Sequence, residues 1–374
     1  LGWGKLLFDI KPKERKSDLY DFEKELEDLK KGLGNAPITL LTGVRRTGKT
    51  SLLKVALSEL GYPYVYLDTR LSSNPTYRDF ANIVKASLED FISRNTPLRR
   101  KIVEKLRRVS GVSISLSPLS VDISWRGYKK FEFVEMFTAL NKIGFDIGKP
   151  IIIAFDEAQE LRKITWINFP RIFAYIYDNL EHVRLVLTGS EVGLLFKFIG
   201  IDSVESPLYG RYMHVVSTRR LSFEESVDFL EKGFRELGVS IPSRIIESAA
   251  RAFGGVIGWL TLFGYNCYMN TDTCSENIDK IIKIAVEIAK QEIEKFLKSR
   301  RSERYHVLLK LLTTERSWSE IKSRLEDIEN RTVNDKTLND LLTTLLDLSI
   351  IEKTNNKYVI ADPITRNAVR ELLG

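Results

Sequence analysis

Residues Gly43-Val44-Arg45-Arg46-Thr47-Gly48-Lys49-Thr50 match G-x-x-x-x-G-K-[ST], and few eight-residue patterns restrict a fold so tightly. The glycines let the backbone turn so that successive N–H groups face one anion. Lys49 can reach the terminal phosphates of a nucleotide, and the Thr50 hydroxyl can serve Mg²⁺. The pattern requires a strand before it and a helix after it, because the positive end of the helix dipole then faces the phosphates. Both flanks are present. Residues 37–42 read as a short buried strand, and Leu52, Leu53, Ala56, Leu57 and Leu60 recur at helical spacing. These flanks argue against a chance match in a glycine-containing loop. Gly43, Arg45, Arg46, Thr47, Gly48, Lys49, Thr50 and Ser51 are therefore the candidate nucleotide contacts.

The rest of the chain arranges itself around this loop. Ser17-Asp18 reads as the cap of a helix over 19–33, after an irregular basic arm. Strands are expected over 62–68, 150–157, 183–190 and 213–216, with helices over 129–146 and 169–181 and two more within 77–108. Residues 112–125 alternate with period two around Ser117-Pro118, which predicts a β-hairpin insertion. The strand–helix alternation over 37–217 predicts a three-layer α/β domain with a parallel sheet. From Ser222 the pattern turns helical, over 222–237, 242–252, 255–269 and 276–298. The end reads as helices 303–313, 317–326 and 334–348, followed by two strands around Asn355-Asn356, a winged helix. The expected domains are 1–217, including an arm and helix in 1–36, then 218–298 and 299–374.

Chemistry concentrates at strand ends. Asp156 and Glu157 close an apolar run, the edge at which open α/β sheets bind ligands. Asp156 would hold Mg²⁺ with Thr50, and Glu157 would orient and polarise the attacking water; both acids would come from a neighbouring strand. Gln159 and Glu160 can equally begin a helix with no catalytic part. Thr188 and Ser190 end the next strand, where they can hold the water or γ-phosphate, or cap the helix that follows. Arg211 can neutralise transition-state charge, in cis or in a neighbouring subunit, or be a surface arginine.

The set formed by the loop, Ile151-Ile152-Ile153-Ala154-Phe155-Asp156-Glu157-Ala158-Gln159, Leu187-Thr188-Gly189-Ser190 and Ser206-Pro207-Leu208-Tyr209-Gly210-Arg211 resembles the archaeal ATPase family. That family is a branch of the AAA+-like and STAND-type P-loop ATPases. The resemblance covers residues 20 to 265 well and the end of the chain more loosely. It implies an α/β three-layer P-loop NTPase fold with a parallel sheet, a helical lid and a C-terminal winged helix. It implies ATP or ADP as ligand and Mg²⁺ as cofactor. It places adenine near residues 18–25, which makes Tyr20 a candidate contact. Phe22 stands where relatives tend to carry Arg. Ile257 stands where they tend to carry the Pro of Gly-Gly-x-Pro.

Two functions fit this reading: an ATP-driven molecular switch reporting through the winged helix to a protein partner, and a DNA-associated motor or loader. A nucleotide-binding scaffold with negligible turnover is a third. The net charge of +7 and pI near 9.1 permit nucleic-acid contact without requiring it. The basic run from Arg99 to Arg108 is either a solvated face or such a surface. From residue 300 onward, thirteen Lys/Arg face twelve Asp/Glu, and the candidate recognition helix carries Asp335, Asp340 and Asp347 against Lys336. That helix would repel phosphates, which favours a protein partner over DNA. Two cysteines are too few for a disulfide framework and suit a reducing, cytoplasmic compartment. No apolar run reaches the ~18 residues of a membrane span. The first residues are too short for a signal peptide, and an initiator Met is lacking.

Overall fold

The computed structural model describes residues 7–70, 75–117, 120–125, 132–269 and 278–374. The chain runs through α1 (Glu23–Asn35), β1 (Ile38–Thr42), α2 (Lys49–Leu60), β2 (Tyr64–Asp68), α3 (Tyr77–Arg94) and α4 (Arg99–Leu106). A hairpin of β3 (Val112–Leu116) and β4 (Val121–Trp125) follows, though part of its turn lies outside the described residues. Then come α5 (Phe133–Ile147), β5 (Ile151–Asp156), α6 (Phe169–Asn179), β6 (Val183–Gly189), α7 (Val192–Ile199) and β7 (His214–Ser217).

The central sheet has the order β2-β5-β6-β1-β7 and is parallel throughout. Its three central strands, β5, β6 and β1, are buried on both faces, whereas the edge strands β2 and β7 are partly exposed. Ile151, Ile153 and Phe155 of β5 pack into a core with α3 to α7, whereas Ile152 and Ala154 pack with α1 and α2 on the opposite face. This is the expected three-layer domain. One detail differs: β6 lies between β1 and β5, so the two acids do not come from the strand beside the loop's own. The first helix also begins later than expected, at Glu23. Residues 16–18 form only a single turn, and Leu19 after it is extended.

The helical lid comprises α8 (Phe223–Leu237), α9 (Ser243–Phe253), α10 (Ile257–Met269) and α11 (Ile278–Lys298). The arm belongs with it. Leu7 and Phe8 are buried in the lid core, and a β-carbon at Gly233 would come 2.2 Å from the Phe8 ring. Burial of a ring this size contributes about 2–3 kcal/mol. Cys267 is buried in the same core and takes part in a disulfide; Cys274 lies outside the described residues. A reducing cytoplasm keeps most thiols free, except in hyperthermophiles, whose intracellular proteins are rich in disulfides.

The winged helix comprises α12 (Arg304–Leu311), β8 (Arg316–Ser317), α13 (Trp318–Glu329), α14 (Asp335–Asp347), β9 (Ile351–Thr354) and β10 (Lys357–Ile360). Its sheet has three strands rather than two, in the order β8-β10-β9. A final helix, α15 (Pro363–Leu373), was not expected. Its signal is present in the sequence: Asp362 accepts from Ile364 N at 2.9 Å and Pro363 follows directly. Two helices join the domains. Ala285 and Ala289 of α11 pack in the lid core, Ile293 and Leu297 in the winged-helix core; α15 divides likewise between Ile364 and Val369. Among the described residues, no helix is long and apolar enough to cross a membrane.

Candidate nucleotide-binding site

The loop between β1 and α2 turns where Gly48 adopts a left-handed conformation, φ 85°, immediately before the first residue of α2. Helical N–H groups from Lys49 onward therefore point out of the C-terminal edge of the sheet. Lys49 is buried, and its ammonium donates to the Gly43 and Val44 carbonyls at 2.7 and 2.8 Å. Burial pushes this ammonium down to about 8, against the opposing pull of the Glu157 and Asp156 carboxylates. Thr47 donates to Val44 O at 2.8 Å and lies 2.6 Å from the Thr218 hydroxyl, which closes the loop onto the chain after β7.

Three hydroxyls set the Asp156 carboxylate. Thr50 Oγ1 and Tyr66 Oη donate to Oδ2 at 3.1 and 2.6 Å, and Thr188 Oγ1 donates to Oδ1 at 2.5 Å. Thr50 and Asp156 thus offer adjacent hard oxygens, the donor set that suits Mg²⁺ alongside phosphate and water. Among the described residues, no group of three or more His, Cys, Asp or Glu could hold a metal without such help. Tyr66 escaped the sequence reading because nothing in β2 marks one of its two tyrosines; only the β2–β5 register, with Tyr66 beside Ala154, brings it to the carboxylate.

Glu157 is turned by a left-handed backbone, φ 57°. The kink is pinned on both sides: Glu157 N donates to Thr188 Oγ1 at 3.0 Å, and Thr69 Oγ1 donates to Glu157 O at 2.8 Å. Its Oε2 accepts from Ser190 N, Ser190 Oγ and Gln159 Nε2 at 3.0, 2.7 and 2.7 Å. Burial pushes the carboxyl up, but the Gln159 hydrogen bond, the Lys49 charge and the Ser190 donors together hold it below the usual carboxylate range. Gln159 therefore does more than begin a turn. Neither Thr188 nor Ser190 caps α7, whose first turn has no side-chain cap; each hydroxyl holds one of the two acids.

Other expected contacts fall elsewhere. Ser51 Oγ accepts from Lys13 N at 3.1 Å and so anchors the arm. The Arg45 side chain pairs with Glu191 at 3.1 Å, and that of Arg46 with Glu292 at 2.8 Å, so both point toward other elements while their backbone remains in the loop. Tyr20 Oη donates to Asp228 at 2.5 Å, against lid helix α8. The two departures from the family pattern meet beside the loop: a β-carbon at Gly48 would lie 3.6 Å from Ile257 and 3.9 Å from Phe22. Arg211 does not join the site of its own chain. It precedes β7 at the opposite edge of the sheet, where its guanidinium pairs with Asp178 at 2.7 Å and bonds Pro207 O.

The basic run of α4 is largely used within the chain. Arg99 donates to Ser117 O and Ser120 O at 3.0 and 2.7 Å, Arg107 to Ile114 O at 2.9 Å, and Lys105 pairs with Asp146 at 3.0 Å. In the winged helix, two acids of α14 are likewise engaged. Asp335 pairs with Lys322 at 2.6 Å, and Asp347 pairs with Lys197 of α7 at 2.5 Å. With Val192 N donating to Ser349 Oγ at 3.2 Å, the latter contact docks the C-terminal end of α14 beside the site.

Comparison with known proteins bears on this geometry. The family model of an ATPase domain predominantly from Archaea matches residues 19–263. That of the C-terminal winged helix-turn-helix domain of MCM proteins matches residues 298–361. A Walker-type ATPase of Pyrococcus abyssi is 33% identical with a TM-score of 0.80, over 98% of this chain and 100% of that one. The Aeropyrum pernix ORC2 protein, solved in ADPNP–ADP complexes, has a TM-score of 0.61 at 13% identity, over 98% and 97% of the two chains, a likeness of fold alone. No curated protein matches.

Proposed function

The chain belongs to the family of ATPase domains found predominantly in Archaea, and from that premise we propose that it binds ATP with Mg²⁺ on the Gly43–Thr50 loop, hydrolyses it slowly, and uses the change of nucleotide to move the lid against the α/β domain. The observation that carries this reading is the convergence of Lys49, Thr50, Asp156 and Glu157 at one sheet edge, with Thr50 Oγ1 3.1 Å from Asp156 Oδ2. Thr50 and Asp156 would hold Mg²⁺, which when bound neutralises charge on the phosphates. Lys49 neutralises more of it, and the loop amides fix the phosphate chain. Glu157, kept ionised, orients the attacking water and takes its proton. Ser190 and Gln159 act through Glu157, as positioning residues.

The winged helix is the reporter in this scheme, through a protein partner. The match to the winged helix-turn-helix domain of MCM proteins favours a second reading, a DNA-associated motor or loader. The docking of the C-terminal end of α14 on α7, through Asp347 and Lys197, argues for the first. Hydrogen exchange of α8 to α11 with ATP and with ADP, beside duplex retention across a salt series, separates them. The switch reading expects nucleotide-dependent protection of the lid and no retained duplex. Duplex retention that falls steeply with salt would move the chain to the second reading.

The depressed Lys49 adds a pH dependence. Bound polyphosphate favours the charged ammonium, so its pKa is higher with nucleotide than the value of about 8 without it. Affinity is then full below pH 8 and declines above it. ADP should bind about tenfold more weakly at pH 9 than at pH 7, measured by titration with a fluorescent analogue. A flat profile over that interval would show that Lys49 does not bear on the phosphates.

A further inference from the structure

Arg46 is the non-glycine residue of the phosphate loop with a left-handed backbone, φ 65°. A side chain there crowds its own backbone, and glycine is the residue that avoids the cost. Such a conformation persists only where its surroundings hold it. Here the hold comes from outside the α/β domain. The guanidinium bonds both oxygens of Glu292, on α11, at 2.8 and 3.1 Å, and lies 4.0 Å over the Trp259 ring of α10. The Arg46 carbonyl accepts from Gly258 N at 2.9 Å. A β-carbon at Gly258 would come 2.7 Å from that of Arg46, so lid backbone rests directly on the loop. The Trp259 indole in turn donates to Asp362 at 2.8 Å, the residue that caps α15.

We propose that Glu292 and Trp259 are positioning residues of the nucleotide site: they hold Arg46 left-handed, and with it the amides that face the phosphates. The inference rests on the phosphate-loop reading above. It makes the anion site a joint product of two domains, because the loop sequence alone supplies an arginine where a glycine would hold the turn unaided. Glu292 also sits where α11 passes from the lid core to the winged-helix core, between Ala289 and Ile293. A shift of either domain therefore reaches the phosphate-binding backbone through one carboxylate.

Titration with fluorescent ADP of four proteins tests this: wild type, Glu292→Gln, Arg46→Gly and the double variant. With the bidentate pair broken, residue 46 leaves the left-handed region and must be returned to it on binding. Glu292→Gln should weaken ADP about 5- to 10-fold, the factor equivalent to the strain of one such residue. Glycine needs no support there, so Glu292→Gln should cost clearly less in the Arg46→Gly background, where only its longer 3.6 Å pair with Arg45 is left to lose. An equal loss in both backgrounds, or no loss beside Arg46, overturns the proposal. If Glu292→Gln does not fold, Glu292→Asp serves in the same cycle: a smaller loss that shrinks further beside Gly is expected, and one that persists in full there is contrary. No ADP binding by the wild type removes the nucleotide reading itself, and this inference with it.

Discussion

Glu157→Gln lowers the ATP turnover rate about 100- to 10,000-fold while nucleotide stays bound, the range that a positioned general base contributes. The substitution keeps the shape of the side chain and removes its charge. An amide cannot take the proton of the attacking water, and it cannot accept from all three donors that now meet at Oε2, namely Ser190 N, Ser190 Oγ and Gln159 Nε2. Binding is spared because Glu157 is a negative charge near Lys49 and near the place of the phosphates; losing it removes a repulsion. The measurement is single-turnover hydrolysis of radiolabelled ATP, with filter binding in parallel. A variant as fast as wild type would favour the scaffold reading, in which this carboxylate serves only to order the β5–β6 edge. Ser190→Ala should fall between the two rates, since it leaves the carboxylate in place and removes one of its holders.

Which features of the site could be read from the sequence follows from the range of the forces involved. The phosphate loop is a local object: strand, turn and helix dipole lie within about twenty-five residues, and spacing alone announces them. The same holds for Asp156 and Glu157, since a buried strand must end in the residues that its ligand edge needs. The roles of side chains around them depend on which strands become neighbours. Tyr66 reaches Asp156 only because β2 pairs with β5 in one register. Ser190 reaches Glu157 only because β6 lies between β1 and β5. Arg211 illustrates the reverse. Its local context suggests a catalytic guanidinium, but the parallel register that starts β7 at His214 leaves it at the far edge, with Asp178.

Domain limits show the same division. The helical and winged segments are legible from periodicity, because each builds a core of its own. Phe8 is not, because a short irregular arm carries no period, and only the pocket left by Gly233 and Gly264 gives its ring a place. Arg45 and Arg46 read as phosphate contacts because they sit inside the motif. Their guanidinium groups instead meet Glu191 and Glu292, acids about 150 and 250 residues away in the chain, and no local rule could have paired them. The loop is thus local in its backbone and long-range in its side chains.

Lys49→Ala should weaken ATP binding about 100-fold or more, since a charged donor to phosphate oxygens contributes roughly 1.5–3 kcal/mol per hydrogen bond and Lys49 can make two. The folded protein itself should survive the change. The buried ammonium is costly enough to be pushed down to about 8, and its removal frees only the Gly43 and Val44 carbonyls that it now serves. Two readings separate loss of binding from loss of fold. The wild type should gain about 2.7 kcal/mol of stability at a nucleotide concentration one hundred times its Kd, visible as a rise in Tm, and the variant should gain no more than about 0.4 kcal/mol at that concentration. The affinity of the variant should also be flat between pH 7 and pH 9, because the group whose titration would weaken binding is gone. If Lys49→Ala retains nucleotide as tightly as the wild type, the amides of this loop do not face a phosphate, and Asp156, Glu157 and Glu292 have nothing there to act upon.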